Sequence, residues 1–366
     1  MVGLFHVQAY NIDDPGMQAE DGATHVSTNH IQRHRNVGVL SVEAVEAPEV
    51  VTSAWIDEQL ADVFERCNVR PGLLEEVAGI TERRWWPEEM RFDTAAALAG
   101  EQAIIAAGID RADIGMLIST SVCRHHLEPS VACAVHHHLG LAPGCLNFDL
   151  GNACLGFVNA IHLAATSIDA GQIKYALIVD GEGARHTHLA TIARLKAEAN
   201  ETSDIYDEFA SLTLGSGSAA MVLGDLDVSP EAHRLVGGIS RAATQHYDIC
   251  VGDLERMRTD TKALLEGGLV LAAEAWAESA ADFGWQDGIS WYVIHQVSKV
   301  HTSMMCATLG IDETRAPLTF PTFGNIGPAS IPFTLAGVQS EIAAGERVLL
   351  MGMGSGLNAS VAEIIW

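Results

Sequence analysis

Apolar residues along this chain follow two alternating spacings. Residues 52–67, 93–108, 130–140 and 154–171 carry them at helical intervals. Thr52 or Ser53 is placed to cap the first stretch, and Gly108, Gly140 and Gly171 stand where the other three end. Between them, residues 114–122 and 175–182 read as buried strands, the first apolar on both faces, and residues 145–150 read as a short strand. Residues 35–53 read as a strand followed by a loop. This alternation predicts an α/β fold with a mostly parallel sheet covered on both faces.

The later part of the chain repeats the theme. Residues 261–284, 300–310 and 327–345 predict helices, the last with Pro328 in its first turn. Residues 290–296, 347–356 and 359–366 predict strands, the middle one running into glycines. The pattern divides the chain into an extension without clear periodicity (1–34) and two halves of similar grammar (35–227 and 228–366). That similarity suggests a duplicated α/β unit.

Composition narrows the function. The 366 residues are 48% apolar and 19% charged, enough for a sizeable core. A net charge of −26 argues against nucleic acid and against an anionic membrane surface. The 7 cysteines are odd in number and without regular spacing, which suits reduced thiols in a cytoplasmic protein. No apolar run is long enough to span a bilayer, so no integral membrane association is expected. His136–His138 are consecutive on a predicted helix and cannot converge, and no Cys/His spacing matches a zinc site, so no metal is expected.

In α/β sheets, reacting groups collect beyond the carboxyl ends of strands. Cys154 lies where a strand gives way to an apolar helix. The partial positive charge of a helix N-terminus favours a thiolate there, although the same position suits a buried structural cysteine. His295 closes an otherwise apolar strand, either as a core histidine or as a donor to an oxyanion. Asn325 lies in a glycine-flanked turn, either as a turn residue or as an amide donor. The glycine run 352–357 resembles a loop that presents backbone N–H groups. Glu128, before Pro129, follows a strand end and reads by itself as a solvated carboxylate.

Taken in order, several short motifs resemble the thiolase superfamily in its ketoacyl-synthase III branch. They are N-A-C-L-G-F (152–157), Y-A-L-I-V-D (175–180), G-S-G-S-A-A (215–220), H-Q-V-S (295–298), G-N-I-G-P-A-S (324–330) and G-S-G-L-N (354–358). The resemblance runs from about Arg35 to Trp366. It implies a five-layered αβαβα thiolase fold and a homodimer. It makes Cys154 the acyl-carrying nucleophile, completed by His295 and Asn325, with an oxyanion hole from the backbone N–H groups of Cys154 and Gly356.

L-E-P-S (127–130) with G-N-I-G-P-A-S resembles a narrower group, the OleA-type enzymes that begin bacterial long-chain olefin synthesis and similar β-lactone pathways. In that group the glutamate matching Glu128 reaches the partner's active site and removes an α-proton from a second fatty acyl-CoA. The implied reaction is a non-decarboxylative Claisen condensation giving a 2-alkyl-3-oxoalkanoic product for downstream olefin or β-lactone enzymes. No cofactor beyond the CoA thioester substrates is implied. Arg83 and Arg84 lie near the expected CoA-binding region, and the net acidity makes CoA a better match than an acidic carrier protein. The acidic run 198–209 is placed to cover an acyl tunnel. Two alternatives stand beside this reading: a decarboxylating 3-oxoacyl synthase III using a malonyl donor, and a non-catalytic subunit that lends Glu128 to a heterodimer.

Overall fold

The computed structural model describes residues 31–366, so residues 1–30 of the predicted extension lie outside the described residues. β1 (Ile31–Arg33) and β2 (Val37–Glu46) come first. A small two-stranded sheet of β3 (Glu49–Thr52) and β4 (Glu82–Trp85) encloses α1 (Ser53–Gln59), α2 (Ala61–Arg66) and α3 (Leu73–Glu76) in sequence. α4 (Phe92–Ala107), β5 (Ile114–Ser119), α5 (Val131–Leu139), β6 (Leu146–Asp149), α6 (Gly156–Asp169) and β7 (Tyr175–Glu182) then alternate. α7 (Arg185–Glu198), α8 (Thr202–Leu212), β8 (Gly217–Asp225) and β9 (His233–Ala242) lead to the hairpin β10 (Cys250–Gly252) and β11 (Met257–Thr259). The chain closes with α9 (Thr261–Phe283), β12 (Trp291–Ile294), α10 (Lys299–Leu309), α11 (Phe320–Phe323), α12 (Ser330–Val338), β13 (Arg347–Gly354) and β14 (Asn358–Ile365).

Local signals explain several boundaries. The Thr52 side chain accepts the Trp55 N–H at 3.1 Å and starts α1. The helical stretch predicted over 52–67 is two helices joined at Leu60. Pro328 falls in a single 3₁₀ turn (Gly327–Ala329), and the helix beyond it is shorter than its apolar pattern suggests.

Ten strands form one sheet in the order β12-β13-β14-β9-β2-β8-β7-β5-β6, with β1 also paired to β9. The end of the predicted extension is thus part of the sheet. The expectation of a mostly parallel sheet needs correction. Within this sheet only β12–β13, β5–β6 and β5–β7 pair in parallel. β13 and β14 are joined by the three residues 355–357, too few for the crossover that parallel strands need.

Alternation along the strands builds the layers. Ile118, Ile178 and Met221 face one way and meet Phe157 and Ile161 of α6 and Ile331 of α12. Val293, Val348, Leu350 and Ala362 of the other half-sheet meet the same two helices. Leu117, Leu177 and Val222 face outward onto α4 and α5. Leu349, Met351 and Val361 face outward onto α9 and α10. The result is helices, sheet, helices, sheet, helices: the five-layered αβαβα arrangement implied by the sequence resemblance. Among the described residues no helix is long and apolar enough to cross a membrane.

β9 and β14 approach closely because Gly238 has no side chain. A Cβ there would lie 1.7 Å from the Val361 carbonyl oxygen. Gly238→Ala must spread this strand pair. The expected loss is about 3 kcal/mol or more, read as a lowered denaturation midpoint; a midpoint equal to the parent's would refute the close contact.

Candidate functional site

Cys154 sits in the turn between β6 and α6. Leu150 N–H donates to the Ser119 carbonyl at 2.8 Å, which ties the turn to the end of β5. Ala153 then adopts a left-handed backbone (φ 45°), strained for a residue with a side chain. This kink presents Cys154 just before the N-terminus of α6. A cavity of about 1090 Å³ opens in front of it, with Leu73, Val77, Tyr206, Phe209, Leu264 and Leu265 on its walls. Tyr206 and Phe209 come from α8, so the acidic run does line the cavity.

His295 and Asn325 line the same cavity. The His295 N–H donates to Met351 O at 2.9 Å, continuing the parallel pairing of β12 with β13 past its end. Asn325 is held on three sides. Its N–H donates to Thr213 O and its carbonyl accepts from Gly215 N–H, both at 2.9 Å, while its Oδ1 accepts the Gly327 N–H at 3.0 Å. With Oδ1 engaged, the amide N–H₂ is the end left for the cavity. Gly215 is obligatory here, since a Cβ would lie 1.7 Å from Phe323 O.

The turn after β13 completes the wall. Gly354, Ser355 and Leu357 line the cavity, and Gly356 between them has φ 101°. A Cβ on Gly354 would lie 2.9 Å from Asn152 O, so this turn lies directly against the Cys154 loop.

The electrostatics differ from the sequence expectation. Burial, with Glu182, Cys250 and Asp180 nearby, pushes the Cys154 thiol up to about 12. These effects oppose the helix N-terminus and favour a neutral thiol, even though Cys154 is only half-buried at the cavity. Burial and the neighbouring His301 lower His295 to about 3. Both shifts disfavour a preformed thiolate–imidazolium pair. His295 Nδ1 is buried without a partner. A bare lone pair is better tolerated there than an unpaired N–H, which puts the proton on Nε2 and makes His295 a neutral donor.

Glu128 is not brought to Cys154 of its own chain. It is exposed and lies off the cavity wall, although the preceding His126 and Leu127 are on it. Arg83 does not meet the CoA-binding expectation: it is fully buried, with its guanidinium directed at Val51 O and Leu212 O. Arg84 pairs with Glu82 at 2.7 Å and lies over Phe323, also off the wall. The cationic side chains on the wall are Arg124 and Lys262, which no sequence pattern singles out. Glu182 is a further wall residue missed in the sequence. With Asp180 it ends an otherwise apolar buried strand, which is the one visible signal. Burial raises Asp180 well above the usual carboxylate range and Glu182 to about 7.

The histidine-rich segment does not gather. His125 stacks on Phe92, His136 bonds to Ala142 O, and His138 faces Asp93. Among the described residues no three His, Cys, Asp or Glu side chains form a metal-sized cluster. Reactivity tests the Cys154 assignment: the rate of its alkylation by iodoacetamide should keep rising with pH through 9, because only the thiolate reacts. A plateau reached near pH 7 would contradict a neutral resting thiol.

Residues 148–188 match the model of 3-oxoacyl-[acyl-carrier-protein] synthase III, and residues 281–366 match its C-terminal model. The acyl-CoA:acyl-CoA alkyltransferase of Xanthomonas campestris is 39% identical over 91% of this chain and 99% of that protein. The acyl-CoA:acyl-CoA alkyltransferase of Shewanella oneidensis is 32% identical over 91% of this chain and 100% of that protein. A crystal structure of Xanthomonas campestris OleA with bound lauric acid and lauroyl-CoA superposes with a TM-score of 0.89 at 39% identity, covering 91% of this chain and 100% of that one. The chain belongs to the ketoacyl-synthase III family, in the branch that contains the acyl-CoA:acyl-CoA alkyltransferases.

Proposed function

We propose that this protein joins two fatty acyl-CoA molecules by a non-decarboxylative Claisen condensation. The observation that carries this reading is the convergence of Cys154, His295 and Asn325 on one large apolar cavity in a chain so similar to acyl-CoA:acyl-CoA alkyltransferases. Lauroyl-CoA bound to Xanthomonas campestris OleA supports the substrate class. Arg124 and Lys262 are the cations on the cavity wall available to a phosphate-bearing carrier.

Cys154 attacks the first thioester carbonyl. Its thiol gives up the proton only as the carbon–sulfur bond forms, and CoA leaves as the thiol. Backbone N–H groups of Cys154 and Gly356 take the oxyanion. A second acyl-CoA then enters. Its α-proton is held tightly because no carboxylate is lost to generate the carbanion. Glu128 of the partner subunit in a homodimer removes this proton, gaining basicity where the interface excludes water. His295 Nε2–H and the Asn325 amide donate to the enolate oxygen. The enolate carbon attacks the Cys154 thioester and forms the carbon–carbon bond. The sulfur leaves and is reprotonated, and a 2-alkyl-3-oxoacyl product results. Such a product suits downstream enzymes that make olefins or β-lactones.

Glu128→Ala tests the base directly. Loss of a general base costs about 10²–10⁴-fold, so condensation should fall by that much while myristoyl-CoA still acylates Cys154, as seen by mass spectrometry. Undiminished condensation would remove Glu128 from the mechanism. An unacylated Cys154 in the parent protein would favour the heterodimer-subunit alternative.

A further inference from the structure

The residues from Thr120 to Ser130 link β5 to α5 and carry Glu128. Their two ends are held very differently from their middle. At the near end, Thr120 N–H donates to Val179 O at 3.0 Å, and Ser121 Oγ accepts the Gly181 N–H at 2.9 Å. Glu182 then takes over. Its carboxylate accepts the Val122 N–H at 2.6 Å and the Cys123 N–H at 3.3 Å. At the far end, Asp149 accepts the Val131 and Ala132 N–H groups at 2.9 and 2.8 Å, fixing the first turn of α5. Between these anchors, Arg124 to Pro129 make no hydrogen bond with any described residue. Leu127 there is 90% exposed, and the segment touches its own chain through the stacking of His125 on Phe92 and along the cavity rim.

Two carboxylates, one at each end, thus help to anchor the segment that carries Glu128. They are not equivalent. Asp149 acts on a helix N-terminus, whereas Glu182 lines the cavity of its own chain. Glu182 also borders the Asn325 loop, since a Cβ on Gly327 would lie 3.5 Å from its carboxyl carbon. Its own backbone carbonyl accepts the Trp86 Nε1–H at 2.9 Å, which holds the main chain from which the side chain extends.

We propose that Glu182 is a positioning residue for condensation: by accepting the Val122 and Cys123 N–H groups it fixes the root of the segment that offers Glu128 to the partner's site. This inference rests on the proposed role of Glu128. It adds a link between the two sites of a dimer, because the carboxylate that sets the reach of the base into one site forms part of the wall of the other. Glu182 itself need not touch the reacting atoms. It accepts hydrogen bonds through its oxygens, and an amide oxygen at the same place can do likewise.

The test separates the two half-reactions in the full chain, with myristoyl-CoA as the probe. Glu182→Leu fills the space but accepts nothing. Relative to the parent, its condensation should fall at least about tenfold further than its acylation of Cys154, equivalent to about 1.4 kcal/mol. Amide exchange at Val122 and Cys123 should quicken. Glu182→Gln should restore both condensation and amide protection. Should Glu182→Leu fail to fold, Val122→Pro deletes the donor of the same hydrogen bond, and the same split is expected. The proposal is overturned if the variant that removes the bond condenses normally. It is also overturned if acylation falls in step with condensation, or if Glu182→Gln is as impaired as Glu182→Leu. Failure of the underlying reading appears separately, as an unsubstituted protein that acylates Cys154 but never condenses.

Discussion

Helix α6 has little surface to spare for solvent. Phe157, Val158, Ile161, Ala164 and Ile168 are buried against strands of both half-sheets. Even the polar His162 has both ring nitrogens engaged, with His34 and with Val361 O. A helix held this way has a fixed N-terminus, and Cys154 sits immediately before it. The carboxyl ends of β5, β6, β12 and β13 then meet around that point, each bringing one loop. The Ala153 kink and the close backbone contacts at Gly215 and Gly354 are what this convergence demands. The position of the thiol thus follows from burial of one apolar helix between two sheets.

The same burial sets the chemistry. Removing Cys154 from water favours its neutral form, and the nearby Asp180 and Glu182 reinforce that preference. His295 is likewise held neutral. The site stores no ion pair, so negative charge appears only when the acyl carbonyl or enolate oxygen develops it. In the proposed reaction that charge meets donors already in place: backbone N–H groups, the His295 ring and the Asn325 amide. Their placement costs no reorganisation during reaction. A resting thiolate would instead be exposed to adventitious electrophiles in a wide cavity.

Much of this was legible in the sequence, for reasons that individual residues make clear. Helices α4, α5 and α9 are amply apolar and stop at Gly108, Gly140 and Gly284, all with left-handed backbone. Cys154 and His295 follow strand ends, Asn325 lies in a glycine-flanked turn after α11, and all three fall in the motifs of the resemblance, so their convergence could be anticipated. Strand direction could not, because β8 and β9 pair across the chain by contacts that leave no local mark. Arg83 illustrates a different limit. A charged residue among tryptophans suggests a ligand clamp, yet here it is buried against backbone carbonyls. Glu182 escaped notice because its partners, Val122 and Cys123, lie 59–60 residues earlier and offer only backbone N–H groups.

The central claim is that two acyl thioesters are joined without decarboxylation. The most direct measurement is to incubate the full chain with myristoyl-CoA alone, without malonyl-CoA, and to analyse the products by mass spectrometry. The account predicts a 2-alkyl-3-oxoacyl-CoA containing the carbon of both chains, or, once its thioester is hydrolysed and the β-keto acid loses carbon dioxide, a ketone one carbon shorter. A product that appears only once malonyl-CoA is supplied would contradict it.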